Sequence, residues 1–254
     1  MGQDLSHDVL ILGAGLAGLR AAVEIARQTD GKASIGIVSK VQLMRAHSVC
    51  AEGGTAAMLR TDEGDSFELH AWDTVKGADF LADQDVVDRF VHAAPEEILL
   101  LDHWGIPWTR DQDGRLDQRP FGGHSYPRAT LAADKTGFFE MQTLYDTLLK
   151  YQNFTRYDEF FVTDILIDDD QFTGMVGIDA TSGELVTLQG KALLIAAGGA
   201  GTLFGFTTCS QSVTGDGLAM AYRAGLPLED MEFIQFHPTG LVPSGILMTE
   251  GCRG

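Results

Sequence analysis

Gly13, Gly15 and Gly18 follow a short apolar run at residues 8–12 and open an Ala-rich stretch at 19–27 that suits a helix. Glycine at these steps permits a tight turn, backbone approach to a pyrophosphate and close strand–helix packing, while the helix N-terminus offers N–H groups and positive dipole to phosphate. With residues 34–39 as a second strand, the segment reads as a β-α-β unit that holds a dinucleotide. That strand ends in Ser39-Lys40, where an NAD-binding unit places an acid for the ribose hydroxyls, so NAD is disfavoured. Gly198 and Gly199, with Gly201, follow an apolar run and read either as a second backbone approach to the nucleotide or as a plain strand-to-loop turn. Taken singly, the other polar candidates have structural readings: His47 a loop hydrogen bond, Asp216 a helix cap, His237-Pro238 a turn, Glu250 and Arg253 a solvated ion pair.

The elements that must position these residues follow from periodicity. Residues 40–56 are polar and glycine-bearing, with neither helical nor strand period, as in functional loops. Residues 66–76 and 84–104 read as helices, the second broken and restarted at Pro95, and 105–129 as a loop with a turn at Asp113-Gly114. An amphipathic helix is expected over 136–150. Residues 154–188 read as three strands joined by turns at 168–170 and 181–183, a small antiparallel meander beside the nucleotide fold. The run 192–197 reads as a central strand buried on both faces. Residues 214–217 open a helix that Gly225 closes, and 231–236 is strand-like.

Composition bounds the function. Eighteen Lys and Arg against 36 Asp and Glu give 254 residues a net charge of −18, which excludes the basic stripe of a nucleic-acid binder. Hydrophobic content of 44% with 21% charged residues is that of a globular chain, and 30 glycines exceed the usual share of ~7%. Asp4 and Asp8 stand where an export signal would be basic, and no apolar run reaches the ~18 residues of a membrane span. Cys50, Cys209 and Cys252 are odd in number and far apart, so neither a disulfide framework nor a metal site is expected, and a reducing compartment fits best.

Seven segments occur in a telling order: Met44-Arg45-Ala46-His47-Ser48-Val49, Ala51-Glu52-Gly53-Gly54, Phe121-Gly122-Gly123, Ala133-Asp134-Lys135-Thr136-Gly137, Thr214-Gly215-Asp216-Gly217, His237-Pro238-Thr239-Gly240 and Thr249-Glu250-Gly251-Cys252-Arg253-Gly254. In this the chain resembles, from residue 8 to its last, the flavoprotein subunit of succinate dehydrogenase and fumarate reductase. The resemblance implies an α/β fold: a Rossmann-like FAD-binding domain with a small antiparallel β-meander over 1–230, and the start of a substrate-capping domain over 231–254. It implies FAD, contacted by Gly13, Ala14, Gly15, Leu16, Ala17, Gly18, Ser39, Lys40, Ser48, Gly53, Gly54, Thr55 and Asp216, and carried covalently by His47 through the 8α-methyl group. His237 and Thr249 match residues that bind a carboxylate of succinate or fumarate, and Glu250 and Arg253 match members of a proton relay.

The same resemblance implies hydride transfer to or from flavin N5, with electrons exchanged with an iron–sulfur subunit and quinone and the membrane anchor subunits reached indirectly. The whole subunit is then expected to be cytoplasmic, peripheral on the inner face of the cell membrane, with no nucleic-acid partner. Family members are considerably longer, and their later half brings the proton-transferring arginine and further substrate and FAD contacts. On this reading the sequence is an N-terminal portion, inactive by itself. Two alternatives stand beside it: a soluble flavoenzyme like L-aspartate oxidase, which generally lacks the covalent histidine, and a non-catalytic flavin-binding fragment.

Overall fold

The computed structural model describes residues 5–248. In chain order the elements are β1 (Ser6–Leu12), α1 (Leu16–Gln28), β2 (Ile35–Ser39), β3 (Thr55–Ala56), α2 (Phe67–Gly77), α3 (Gln84–Trp104), β4 (Gln118–Arg119), β5 (Ala129–Thr130), α4 (Thr136–Leu148), β6 (Phe154–Asp158), β7 (Phe160–Asp168), β8 (Gln171–Asp179), β9 (Leu185–Ile195), α5 (Asp216–Arg223), β10 (Gly240–Leu241) and β11 (Ile246–Leu247). They divide into two units, one of residues up to Val49 together with Leu144–Met248, the other of Cys50–Thr143.

The first unit is built on a six-stranded sheet in the order β6-β2-β1-β9-β8-β7. β1, β2 and β6 run parallel, and β9 joins β1 in parallel from Gln189 to Ile195. The first half of β9 pairs antiparallel with β8, which pairs antiparallel with β7, so the expected meander is continuous with the nucleotide sheet through one shared strand. α1 packs on β1 and β2 through Gly18, Leu19, Ala22, Val23 and Ala26. The opposite face carries a core of Leu10, Leu12, Val38, Phe160, Val162, Met175, Leu188 and Met220. Fully burying such side chains stabilises the fold by about 1.5–3 kcal/mol each.

Four expectations are corrected here. β6 is not part of the meander: it lies in parallel beside β2, and the chain leaves it at Glu159, whose φ of 57° ends the strand. Residues 192–197 are not a separate strand buried on both faces, because β9 is one strand and Leu194 is 38% exposed. Leu194 pairs with Ile11, on the face that α1 covers over β1 and β2, and among the described residues no helix covers it over β9. Residues 231–236 form no strand, and the first pairing beyond them is the β10–β11 hairpin. α3 passes through Pro95 unbroken. Proline removes one backbone hydrogen bond there, but Val91, Ala94 and Ile98 on either side share a buried face that keeps the axis continuous.

The second unit packs α2 on α3 and sets a three-stranded sheet, β3-β5-β4, beside a core of Ala57, Ala94, Ile98, Ile106, Trp108 and Ala132. At its centre Arg128 is fully buried. Its Nε and Nη2 donate to Asp65 at 2.8 and 2.5 Å, and Nη1 donates to Asp73 at 2.5 Å. Asp73 also accepts the Ser125 N–H at 2.7 Å and its hydroxyl at 2.6 Å, which fastens the preceding Phe121-Gly122-Gly123 loop to α2.

Arg128→Met leaves two buried carboxylates without their cation and is expected to cost about 3–5 kcal/mol in urea denaturation. Adding Asp65→Leu and Asp73→Leu to that variant should recover much of the loss; a triple variant weaker than Arg128→Met would contradict the analysis.

Candidate functional site

The first unit contains a cavity of about 290 Å³, and six segments of that unit supply its wall, β7 among them through Phe160, Phe161 and Val162. The β1–α1 turn contributes Leu12, Gly13, Ala14, Gly15, Leu16 and Ala17, and the end of β2 contributes Ser39 and Lys40. The loop after β2 adds Ala46, His47 and Ser48, the end of β9 adds Ala196, Ala197 and Gly198, and the segment opening α5 adds Asp216.

Glycine is obligatory at one of these positions, Gly13, and at Gly18 beneath the wall. Gly13 has φ 113°, and a Cβ on it would stand 2.1 Å from the Ala196 carbonyl oxygen. A Cβ on Gly18 would stand 1.9 Å from the Gly13 carbonyl oxygen. Backbone therefore meets backbone between β1, β9 and α1, and the helix start opens onto the cavity. Gly15 is the N-cap of α1, without a side-chain cap and with no acid in the first turn. An uncapped helix N-terminus carries positive partial charge, and no carboxylate of the first turn competes for it. The Ser48 hydroxyl accepts the Leu16 N–H at 3.2 Å, tying the His47 loop to that helix start.

Lys40 and Asp216 form an ion pair in the cavity wall, with Thr214 bonded to both. Burial works to raise the Asp216 pKa, but the hydrogen bonds from Lys40 and Thr214 and the lysine charge outweigh it and hold the carboxyl below its ordinary 3.8. Asp216 is the first residue of α5 and also suits that helix's N-terminus. Thus Lys40, in the place where an acid was missing, is already matched by an acid from 176 residues away.

His47 opens a short 3-10 turn, His47–Cys50. Its Nδ1 accepts the Ser210 N–H at 3.2 Å, which leaves the neutral ring's hydrogen on Nε2. Among the described residues Nε2 has no hydrogen-bond partner. Although the ring is open to solvent on one side, desolvation by the surrounding chain pushes its pKa below 6.5. A neutral imidazole at the cavity wall is the result.

The structure thus brings together ten of the expected residues on one cavity: Gly13, Ala14, Gly15, Leu16, Ala17, Ser39, Lys40, His47, Ser48 and Asp216. Gly18 acts beneath it, in strand–helix packing. Of the glycines after β9, Gly198 lies in the wall, while Gly201 packs against Cys209, where a Cβ would stand 2.6 Å from the sulfur. Gly53, Gly54 and Thr55 belong to the second unit, where Gly54 has φ 94° and Thr55 begins β3. His237 is not in the wall: it is half-buried, its N–H donates to Thr208 at 2.8 Å, and its Nδ1 accepts the Thr239 N–H at 3.3 Å. Thr249, Glu250 and Arg253 lie outside the described residues. Sequence reasoning missed Phe160, Phe161 and Val162, which also line the cavity. The apolar triplet after Asp158-Glu159 was their signal, read only as strand.

These residues fit a flavin dinucleotide. A glycine turn that a Cβ would fill and an uncapped helix start with no acid suit a pyrophosphate, and an apolar wall with a few polar groups suits ring systems. The family described as FAD binding domain matches residues 8–254. The chain is 51% identical to the fumarate reductase flavoprotein subunit of Serratia sp. (strain ATCC 39006) over 252 residues, 99% of this chain and 42% of that protein. It is 41% identical to the succinate dehydrogenase flavoprotein subunit of Rickettsia bellii (strain RML369-C), covering 97% of this chain and 42% of that one. A solved structure of a mutant E. coli quinol fumarate reductase superposes with a TM-score of 0.93 at 50% identity, over 98% of this chain and 42% of the other. The chain therefore spans well under half the length of the relatives it matches.

Gly13→Ala combines strain at positive φ with a backbone collision and is expected to cost about 2–5 kcal/mol and to abolish FAD retention, measured by urea denaturation and flavin absorbance. For Asp216 the folded pKa is depressed, so its contribution to stability is present above pH 3.8 and is lost as pH falls through the lower folded value. Unfolding midpoints of Asp216→Asn should accordingly vary less with pH across the acid range; an unchanged acid dependence would remove the Lys40 pair as its cause.

Proposed function

The chain belongs to the FAD-binding domain family, and on that premise we propose that it forms part of a flavoprotein subunit interconverting succinate and fumarate. The observation that carries the proposal is the placement of His47. Its ring stands in the wall of the cavity that the glycine turn and α1 open onto, with Nδ1 engaged by the Ser210 N–H and Nε2 left over.

Bound FAD would supply hydride chemistry at N5 of its isoalloxazine ring. The chain's own residues do the rest. Gly13 to Ala17 and the α1 N-terminus hold the pyrophosphate. Lys40 and Asp216, a matched pair in the cavity wall, contact the cofactor, and Ser39 and Ser48 offer hydroxyls. Gly53 and Gly54, with Ser48, lie near the isoalloxazine, in a segment that wraps the cofactor as far as Thr55. His47 anchors the cofactor covalently through Nε2, the nitrogen its loop leaves unused. Residues 1–230 serve as the FAD-binding portion, and 231–254 begin a capping portion that carries the substrate groups. There His237 and Thr249 hold a substrate carboxylate, and Glu250 and Arg253 relay the proton that must reach or leave the carbon opposite the hydride.

A flavin that gains electrons as a hydride must pass them on singly, and three scattered cysteines offer no cluster ligation in this chain. The subunit therefore docks an iron–sulfur subunit, exchanges electrons with quinone through it, and meets the membrane anchors indirectly. Among the described residues no helix is long and apolar enough to cross a membrane. Peripheral attachment on the cytoplasmic face follows on this reading.

Full-length protein denatured in acid should keep yellow fluorescence on the polypeptide. In His47→Ser the FAD should remain bound but leave on denaturation, with succinate oxidation falling more than fumarate reduction. Quantitative release of flavin from the wild type would defeat covalent attachment. Recovery of the protein free of any iron–sulfur partner, reducing oxygen in step with substrate use, would favour the aspartate-oxidase-like alternative.

A further inference from the structure

One buried acid has no place in this scheme. Glu140 lies on the inner face of α4 and is 4% exposed, between Phe139 and the fully buried Met141. Its carboxylate accepts the hydroxyl hydrogen of Thr55, and among the described residues no cation pairs with it. Burial raises its pKa above 4.5 despite that bond. A lone carboxyl in such a place costs free energy that a leucine or methionine on the same helical face would not. Helix packing gives no reason for it, so the reason lies with the group it touches.

That group is held on three sides within the second unit. Thr55 pairs with Thr130 in the β3–β5 ladder. The preceding Gly54 passes so close to the Thr130 carbonyl that a Cβ would stand 2.7 Å from its oxygen. Glu140 takes the remaining freedom, the rotamer of the Thr55 side chain. Backbone N–H groups offered to a ligand act only as well as they are oriented, and a bonded support behind them sets that orientation.

We propose that Glu140 is a positioning residue that, through the Thr55 hydroxyl, fixes the Gly53-Gly54-Thr55 segment against the isoalloxazine ring of FAD. The inference rests on the reading that this segment lies near the ring. Its test uses full-length FAD-loaded protein, with the flavin's reduction potential and visible absorption as readouts for wild type, Glu140→Gln, Glu140→Met, Thr55→Val and the Met/Val double variant. Glutamine keeps a carbonyl acceptor at the same reach and should leave both readouts unchanged. Methionine and valine should each shift them in the same direction, by about a tenfold change in the reduced-to-oxidised ratio at fixed potential, the worth of one hydrogen bond. The double variant should shift no further than either single one. Unchanged potential and spectrum in Thr55→Val, or additive shifts in the double variant, would overturn the inference, and Thr55→Val decides the matter if Glu140→Met does not fold. Wild-type protein that holds no FAD would instead overturn the functional reading and this inference with it.

Discussion

At Gly13 and Gly18 there is no room for a side chain, and the site depends on that lack. The carbonyl of Ala196 occupies the space a Cβ on Gly13 would need, and the carbonyl of Gly13 does the same for Gly18. Because the chain can close at these two points, β9 ends against the β1–α1 turn and α1 begins at the cavity rather than one turn away. Ser48 then reaches the first turn of α1, and His47 is carried into the wall beside it. A methyl group at either glycine would separate the elements that share the cavity.

Charge is arranged locally against an unfavourable total. With a net charge of −18 the distant field repels an anion. The cavity's one lysine, Lys40, is matched by Asp216, so attraction for phosphate is left to the oriented amides of α1. The second unit follows the same pattern in its interior, where Arg128 stands between Asp65 and Asp73 and is bonded to both. Glu140 departs from it, being a carboxyl that, among the described residues, is met by a hydroxyl and no cation.

The β1–α1–β2 unit was legible in the sequence because a short apolar strand, a glycine turn and an amphipathic helix each leave a local trace. Lys40 was legible as an anomaly, but its partner was not, since nothing local links it to Asp216. The unity of β9 was hidden because its two halves face different neighbours and so show different patterns: mixed over residues 185–190 beside β8, apolar over 192–197 beside β1. β6 was misassigned for a related reason, as residues paired in parallel or antiparallel alternate alike. Pro95 looked like a break because proline's local cost is readable and the packing of Val91, Ala94 and Ile98 that outweighs it is not. Glu140 passed as one more polar residue on an amphipathic helix, since burial is decided by what packs against the helix.

The pairing of β1 with β9 has a consequence in time. Lys191 and Asp8, joined at the edge of that pairing, are 183 residues apart in the chain. A ribosome that has released β1, α1 and β2 has made the glycine turn but not the carbonyl of Ala196 that closes it. During synthesis β1 waits with one edge unpaired while the long intervening segment is made, and such an edge is open to wrong partners. Contacts of this span also make for slow folding, because loop closure must precede their gain. The nucleotide cradle is therefore completed only when β9 emerges, long after the glycine turn that it closes.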